Sequence, residues 1–111
     1  MTVIQALTVL AALVAAPAFA DCTAPDGSVQ IPSGAAATRD EMVAAQKAVK
    51  AYDNAVRAYS DCLQQQKALN GDNTKLADEF DRRTAAELDK LQRLADRFNV
   101  ELRAFKARTS G

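Results

Sequence analysis

Histidine and tryptophan are both absent from this 111-residue sequence. Without histidine, the chain has no imidazole that could act as a general base, complete a Ser-His-Asp triad or bind a metal ion. The glycines are scattered through turns and the tail, so the sequence has no glycine-rich loop that could hold a phosphate. These absences favour a protein that is not an enzyme and that requires no cofactor and no metal.

The sequence also lacks an excess of charge of either sign. Its 14 lysines and arginines balance its 14 aspartates and glutamates, for a formal net charge of +0. A neutral chain generates no long-range field that would steer it toward a polyanion. We therefore expect no nucleic-acid partner.

The first 20 residues resemble an export signal. Residues 3–16, VIQALTVLAALVAA, are uncharged and almost wholly apolar, but the run is shorter than the roughly 20 residues that cross a bilayer. Ala18-Phe19-Ala20 follows as a small-residue cleavage site. The pattern predicts a signal peptide over 1–20, cleavage after Ala20, and a periplasmic or secreted protein. The alternative, an N-terminal membrane anchor, is disfavoured by the cleavage site.

The chain has only two cysteines, Cys22 and Cys62. In an exported protein, an even number of cysteines indicates a disulfide, and pairing would leave no thiol nucleophile. A lipid anchor on Cys22 would need small residues immediately before it. The preceding residue is Asp21, so lipidation is the minor alternative.

Two helices are predicted after an arm that contains Pro25, Gly27, Pro32 and Gly34. The arm covers 21–37, and a Thr38-x-x-Glu41 capping box opens a helix over about 39–69. A second helix is expected over about 74–108. The first helix has an apolar heptad seam made by Met42, Ala45, Val49, Tyr52, Val56, Tyr59 and Leu63. The second has a seam with one local stutter, made by Ala77, Phe80, Thr84, Leu88, Leu91, Ala95, Phe98, Leu102 and Phe105.

The turn between the helices is short. We expect Gly71 to end the first helix in a left-handed conformation and Asp72 or Asn73 to cap the second. So short a linker allows only an antiparallel neighbour. The predicted fold is all-α, a coiled-coil-like antiparallel two-helix hairpin occupying 38–111, with an extended arm tied back by a disulfide. The predicted seams contain no carboxylate, so no metal site is expected in the core.

The arm is long enough to reach back to Cys62. Thr38 to Cys62 spans about 36 Å of helix, whereas the arm from Thr38 back to Cys22 extends to about 53 Å. An alanine row beside the first seam ends at Cys62, and we expect the arm to lie on it with Val29 and Ile31 as its apolar contacts. The row consists of Ala44, Ala48, Ala51, Ala55 and Ala58. The competing interpretation is that alanine is there only as a good helix former.

The segment from Cys22 to Leu63 carries the pattern C-x-x-P…I-P-x-G…A-T-x-x-E-M…A-Q-x-x-V-x-x-Y…Y-x-x-C-L. It resembles uncharacterised small secreted or periplasmic helical proteins of proteobacteria. The resemblance covers the arm and the first helix. It implies an exported protein and assigns no activity and no site residue.

Apolar residues beside the seams predict a partner surface, namely Val43, Leu69, Leu94 and Val100. A protein partner or a homodimer that forms a four-helix bundle would bury them. The alternative is binding of anionic lipid or polysaccharide by basic residues of the second helix, namely Arg93, Arg97, Arg103, Lys106 and Arg108. Contact with a membrane is possible under that alternative but is not predicted. A small-ligand carrier formed inside a dimeric bundle is a third hypothesis.

Overall fold

The computed structural model describes residues 22–110, which form an extended arm followed by two helices. The helices are α1 (Arg39–Leu69) and α2 (Thr74–Thr109), and they pack antiparallel. The disulfide between Cys22 and Cys62 joins the arm to α1, with 5.7 Å between the two Cα atoms. The predicted all-α hairpin and the predicted disulfide are both confirmed. The predicted signal peptide lies outside the described residues.

Helix α1 begins where the capping box places it. The side chain of Thr38 accepts a hydrogen bond from the backbone N–H of Glu41, over 3.1 Å. Asp40 and Glu41 lie in the first turn and Lys67 lies in the last. Acidic residues near the amino end of a helix and basic residues near its carboxyl end are stabilised by the helix dipole.

The turn between the helices uses asparagine rather than glycine. Asn70 caps α1: its backbone N–H donates to the carbonyls of Gln66 and Lys67, and its side chain donates to Gln66 over 2.7 Å. No glycine within residues 22–110 has a positive φ, so the left-handed conformation predicted for Gly71 is wrong. A left-handed Gly71 is not needed, because Asn70 already binds the free carbonyls at the end of α1. Asn73 caps α2 through the N–H of Leu76.

The inner row of α2, the residues that face α1, keeps a strict heptad without the predicted stutter. Glu87 is only 6% exposed, whereas Leu88 is 49% exposed, so the seam continues through the glutamate. The burial is possible because the hydroxyl of Tyr52 donates a hydrogen bond to Glu87. The inner row is Phe80, Thr84, Glu87, Leu91, Leu94, Phe98, Glu101 and Phe105.

Leu94 was expected on the partner surface, and that expectation is wrong. Its side chain is 7% exposed and packs with Tyr52 and Val56 in the core. The reason is geometric, since the unbroken heptad from Glu87 places Leu94 on the line that faces α1. The predicted seam had followed Leu88 and Ala95 instead.

The core is divided into three apolar clusters along the hairpin. One contains Met42 and Phe98, the second contains Val56 and Leu94, and the third contains Leu63 next to the turn. Cys22 packs against the third cluster, so the disulfide joins the arm to the core and not only to the surface of α1.

The arm lies in the groove between the helices. Val29 and Ile31 pack against the Tyr52–Leu94 cluster, while Ala51 and Ala58 stay exposed. The arm borders the alanine row, because arm residues 28–32 line a shallow depression together with Ala44 and Ala48, and its apolar side chains reach beyond the row into the core. β-Branched side chains remove more apolar area from water against leucine and tyrosine than against a row of methyl groups.

Candidate interaction surface

The arm is fixed at its end nearest α1 by a set of hydrogen bonds around Gly34. The backbone N–H of Gly34 donates to the carboxylate of Glu101 over 2.7 Å. The guanidinium of Arg108 donates to the carbonyl of Gly34 over 3.3 Å and to the carbonyl of Ala37. A Cβ at position 34 would lie 1.8 Å from the carbonyl oxygen of Glu101. With the disulfide at its other end, the arm covers one groove as an integral part of the fold.

These contacts engage part of the predicted basic surface. Arg108 binds arm carbonyls and stacks over the ring of Phe105 at 5.4 Å. Arg93 pairs with Asp89 over 3.0 Å. Arg103 and Lys106 share a shallow depression, but Asp96 lines it as well. The five basic residues are therefore not gathered into one uncompensated patch. Among residues 22–110, no ion pair involves the remaining three, Arg97, Arg103 and Lys106.

A polar layer containing Glu87 and Tyr52 interrupts the apolar core. The hydroxyl of Tyr52 donates to Glu87 over 3.0 Å, and the ammonium of Lys90 lies 3.2 Å from the other carboxylate oxygen. Burial, followed by the hydrogen bond to Glu87 and its negative charge, raises the pKa of Tyr52 to about 12. The layer holds a carboxylate inside the hairpin, against the expectation that the seams contain none. Sequence reasoning missed it because glutamate was treated as a surface residue.

The second groove between the helices is not covered by the arm. Val49 of α1 and Leu91, Ala95 and Phe98 of α2 provide its apolar floor. On the α1 side its rim consists of Gln46, Lys50, Asp53 and Arg57. These rim residues follow the buried seam residues by one position, so they form one row along the open side of α1.

A matching row on α2, which we call the outer strip, carries no charge. It follows the inner row by one position and consists of Ala85, Leu88, Gln92, Ala95, Asn99 and Leu102. Nearly half of the residues of α2 are charged, yet this strip excludes charge over five turns. Its steps alternate between three and four residues, which is the spacing of a coiled-coil contact. The most exposed large apolar side chain in the strip is Leu88, at 49%.

The other predicted partner residues are exposed but do not form one patch. Val43 is 40% exposed near the start of α1, Leu69 is 65% exposed at the turn, and Val100 is 52% exposed beside the arm. Sequence reasoning therefore placed apolar surface correctly at three isolated positions. It missed the outer strip because Leu88 and Ala95 were assigned to the core. The signal in the sequence that could have revealed the outer strip is the absence of charged residues from the row beside the seam.

The described part of the chain contains neither a cluster of potential metal ligands nor a spanning helix. Residues 22–110 hold no group of three or more His, Cys, Asp or Glu side chains arranged to bind a metal ion. Within the same range, neither helix combines the length and the hydropathy needed to cross a bilayer. Comparisons with protein families, with curated proteins and with solved structures find no match. The resemblance to small secreted proteins of proteobacteria stays a prediction.

Proposed function

We propose that this chain is a non-enzymatic helical hairpin of the periplasm or extracellular space that acts as a protein–protein interaction or structural module. The outer strip of α2 is its binding surface. The observation that carries the proposal is the exclusion of charge from a heptad row on a helix otherwise rich in charge; the row is exposed except at Ala95 and Leu102, which are half-buried. An exposed row of this kind is suited to burial against another helix, because burying an unpaired charge there would be costly.

The open groove beside the outer strip adds support. Leu91 and Phe98 form part of its floor, and Leu88 projects from α2 next to it. A helix seated over this groove would contact both rows of α2 and the rim of α1. The opposite groove already has an occupant, because the arm fills it and is held by a disulfide.

The compartment is part of the proposal. The leader-like segment at 1–20 and the disulfide both fit an oxidising environment outside the cytoplasm. Amino-terminal sequencing of the exported protein should give Asp21 as the first residue. An uncut Met1 or a lipid-modified Cys22 would contradict this.

The alternative role, binding to anionic lipid or polysaccharide, has less support. Arg93 and Arg108 are already engaged with Asp89 and with carbonyls of the arm, and acidic residues interleave with the others. Binding of this kind would weaken strongly as salt is raised, whereas burial of an uncharged strip would not.

Photo-crosslinking in the producing cells tests the proposed surface. A photoreactive amino acid placed at Leu88 should give an intermolecular product. The same amino acid at Val100, which lies beside the arm and is exposed to a similar degree (52% against 49%), should give none. Equal crosslinking from both positions, or none from Leu88, would contradict the outer strip as a binding surface.

A further inference from the structure

We infer that the partner of the outer strip is a second copy of this chain, packed antiparallel so that two hairpins form a four-helix bundle. The inference rests on the proposed function and names the partner. It is carried by self-complementarity, because the same two-fold axis pairs suitable residues along both helices. An isologous contact requires such a match.

The outer strip is complementary to itself about a point between Arg93 and Leu94. When two copies of α2 run antiparallel across that point, the strip pairs without bringing two large side chains or any two charges together. The facing pairs are Ala85 with Leu102, Leu88 with Asn99, and Gln92 with Ala95. Small residues face larger ones, which is how facing helical rows interdigitate.

Opposite charges end the strip on both sides. In the same register, Asp81 of one copy faces Lys106 of the other, and the symmetric pair repeats at the far end. Both carboxylate oxygens of Asp81 accept bonds from Lys67 over 3.0 Å, and the side chain stays 51% exposed, so a second cation can approach it from solvent. No ion pair within residues 22–110 involves Lys106. Charge complementarity at the ends fixes the register of an antiparallel pair.

The rim of α1 also pairs with its copy about the two-fold axis of the α2 pair. Leu94 shares a core cluster with Tyr52 and Val56, and Val49 packs against that cluster, so the midpoint of the α2 pairing lies level with the middle of the α1 rim. About that level, Lys50 of one copy faces Asp53 of the other. Since the rims of both hairpins lie on the same side of the α2 pair, the second helix of the bundle supports the register set by the first.

Mixing two charge-reversal variants tests the arrangement. By sedimentation equilibrium, the oxidised mature protein should dimerise, and Asp81→Lys alone or Lys106→Asp alone should weaken dimerisation by about tenfold, because each homodimer places like charges together. An equimolar mixture should restore it, because both facing pairs become attractive in the heterodimer. A substitution that only destabilised its own monomer would not regain dimerisation on mixing with the other variant. Lys50→Asp mixed with Asp53→Lys gives a second, independent set, and Val100→Lys is the control.

The outcomes separate this inference from the proposed function. Restoration in either mixed set supports the antiparallel two-fold. A dimer that is insensitive to all four reversals, or a wild-type chain that stays monomeric at every concentration, overturns the inference. If the monomeric chain still crosslinks from Leu88 to a different protein, the proposed function stands without the homodimer. If it crosslinks to nothing, both fail.

Discussion

At the scale of single residues, the close packing of the arm against α2 depends on Gly34. Its backbone lies against the last part of α2 with no room for a side chain, and its N–H and carbonyl are bound by Glu101 and Arg108. The requirement here is space and not backbone conformation, because no glycine within residues 22–110 has a positive φ.

Replacing Gly34 by alanine should therefore destabilise the protein. The added Cβ would lie 1.8 Å from the carbonyl oxygen of Glu101, so the arm must move away and its hydrogen bonds must lengthen. We expect a loss of about 1–3 kcal/mol in the free energy of unfolding, measured with urea. Gly71→Ala is the matched control, because its Cβ would meet nothing closer than 3.8 Å. Equal effects of the two substitutions would show that the arm is not packed as described.

Tyr52 makes the stability of the protein sensitive to alkaline pH. Folding raises its pKa from 10.0 to about 12, so the folded state favours the neutral phenol. Because the folded state holds the phenol proton more tightly than the unfolded state, Tyr52 contributes to the free energy of unfolding. This contribution is fully present below pH 10 and is lost as the pH rises from 10 to about 12. Urea unfolding across that range should show a steeper loss of stability in the wild type than in Tyr52→Phe. Identical pH profiles would contradict the buried Tyr52–Glu87 bond.

At the scale of elements, α2 carries two adjacent heptad rows with different roles. The inner row folds the hairpin and includes two carboxylates, Glu87 and Glu101, while the outer strip is free of charge. A lysine substitution in each row distinguishes them. Leu94→Lys should lower the free energy of unfolding by at least about 2 kcal/mol, because it places an ammonium in the core.

Leu88→Lys is the counterpart of that variant. Because Leu88 is 49% exposed, the free energy of unfolding of the monomer should fall by no more than about 0.5 kcal/mol. Association between two copies of the chain should weaken. Urea unfolding at low protein concentration measures the first effect, and sedimentation measures the second. If Leu88→Lys unfolds the monomer, or Leu94→Lys leaves it stable, the two rows have been assigned the wrong way round.

Local signals in the sequence were enough to predict the helices. The capping side chains of Thr38 and Asn73 act within three residues of themselves, and the seam of α1 is purely apolar or aromatic. The inner row of α2 could not be predicted, because a hydropathy pattern rejects Glu87 as a core residue. Its hydrogen-bond partner is 35 residues away in the sequence, and that of Glu101 is 67 residues away. Only the folded chain brings these partners together.

At the scale of the whole molecule, the disulfide joins the arm to a hairpin that would be marginal alone. The bond links residues 40 apart, and a loop of that length corresponds to about 4 kcal/mol in the chain-entropy treatment. Reduction should therefore lower the melting temperature of the wild type markedly. The double variant Cys22→Ser/Cys62→Ser should melt at the lower temperature whether or not reductant is present. A wild type that is insensitive to complete reduction would contradict this role of the disulfide.

The molecule as a whole presents two grooves between its helices, one filled by its own arm and one open beside the outer strip. We propose that the filled groove stabilises the fold and the open side provides the surface for association. The two sides can be compared directly because each has one large exposed apolar residue on α2. These are Leu88 on the open side and Val100 beside the arm.

Carbene footprinting of the oxidised mature protein over a concentration series tests this division most directly. The label modifies exposed side chains, and Leu88 and Val100 begin with nearly equal exposure, 49% and 52%. Labelling of Leu88 should fall as the protein concentration rises, while labelling of Val100 should stay constant. Labelling of both residues that is unchanged at every concentration, or protection of Val100 with Leu88 left exposed, would contradict this division.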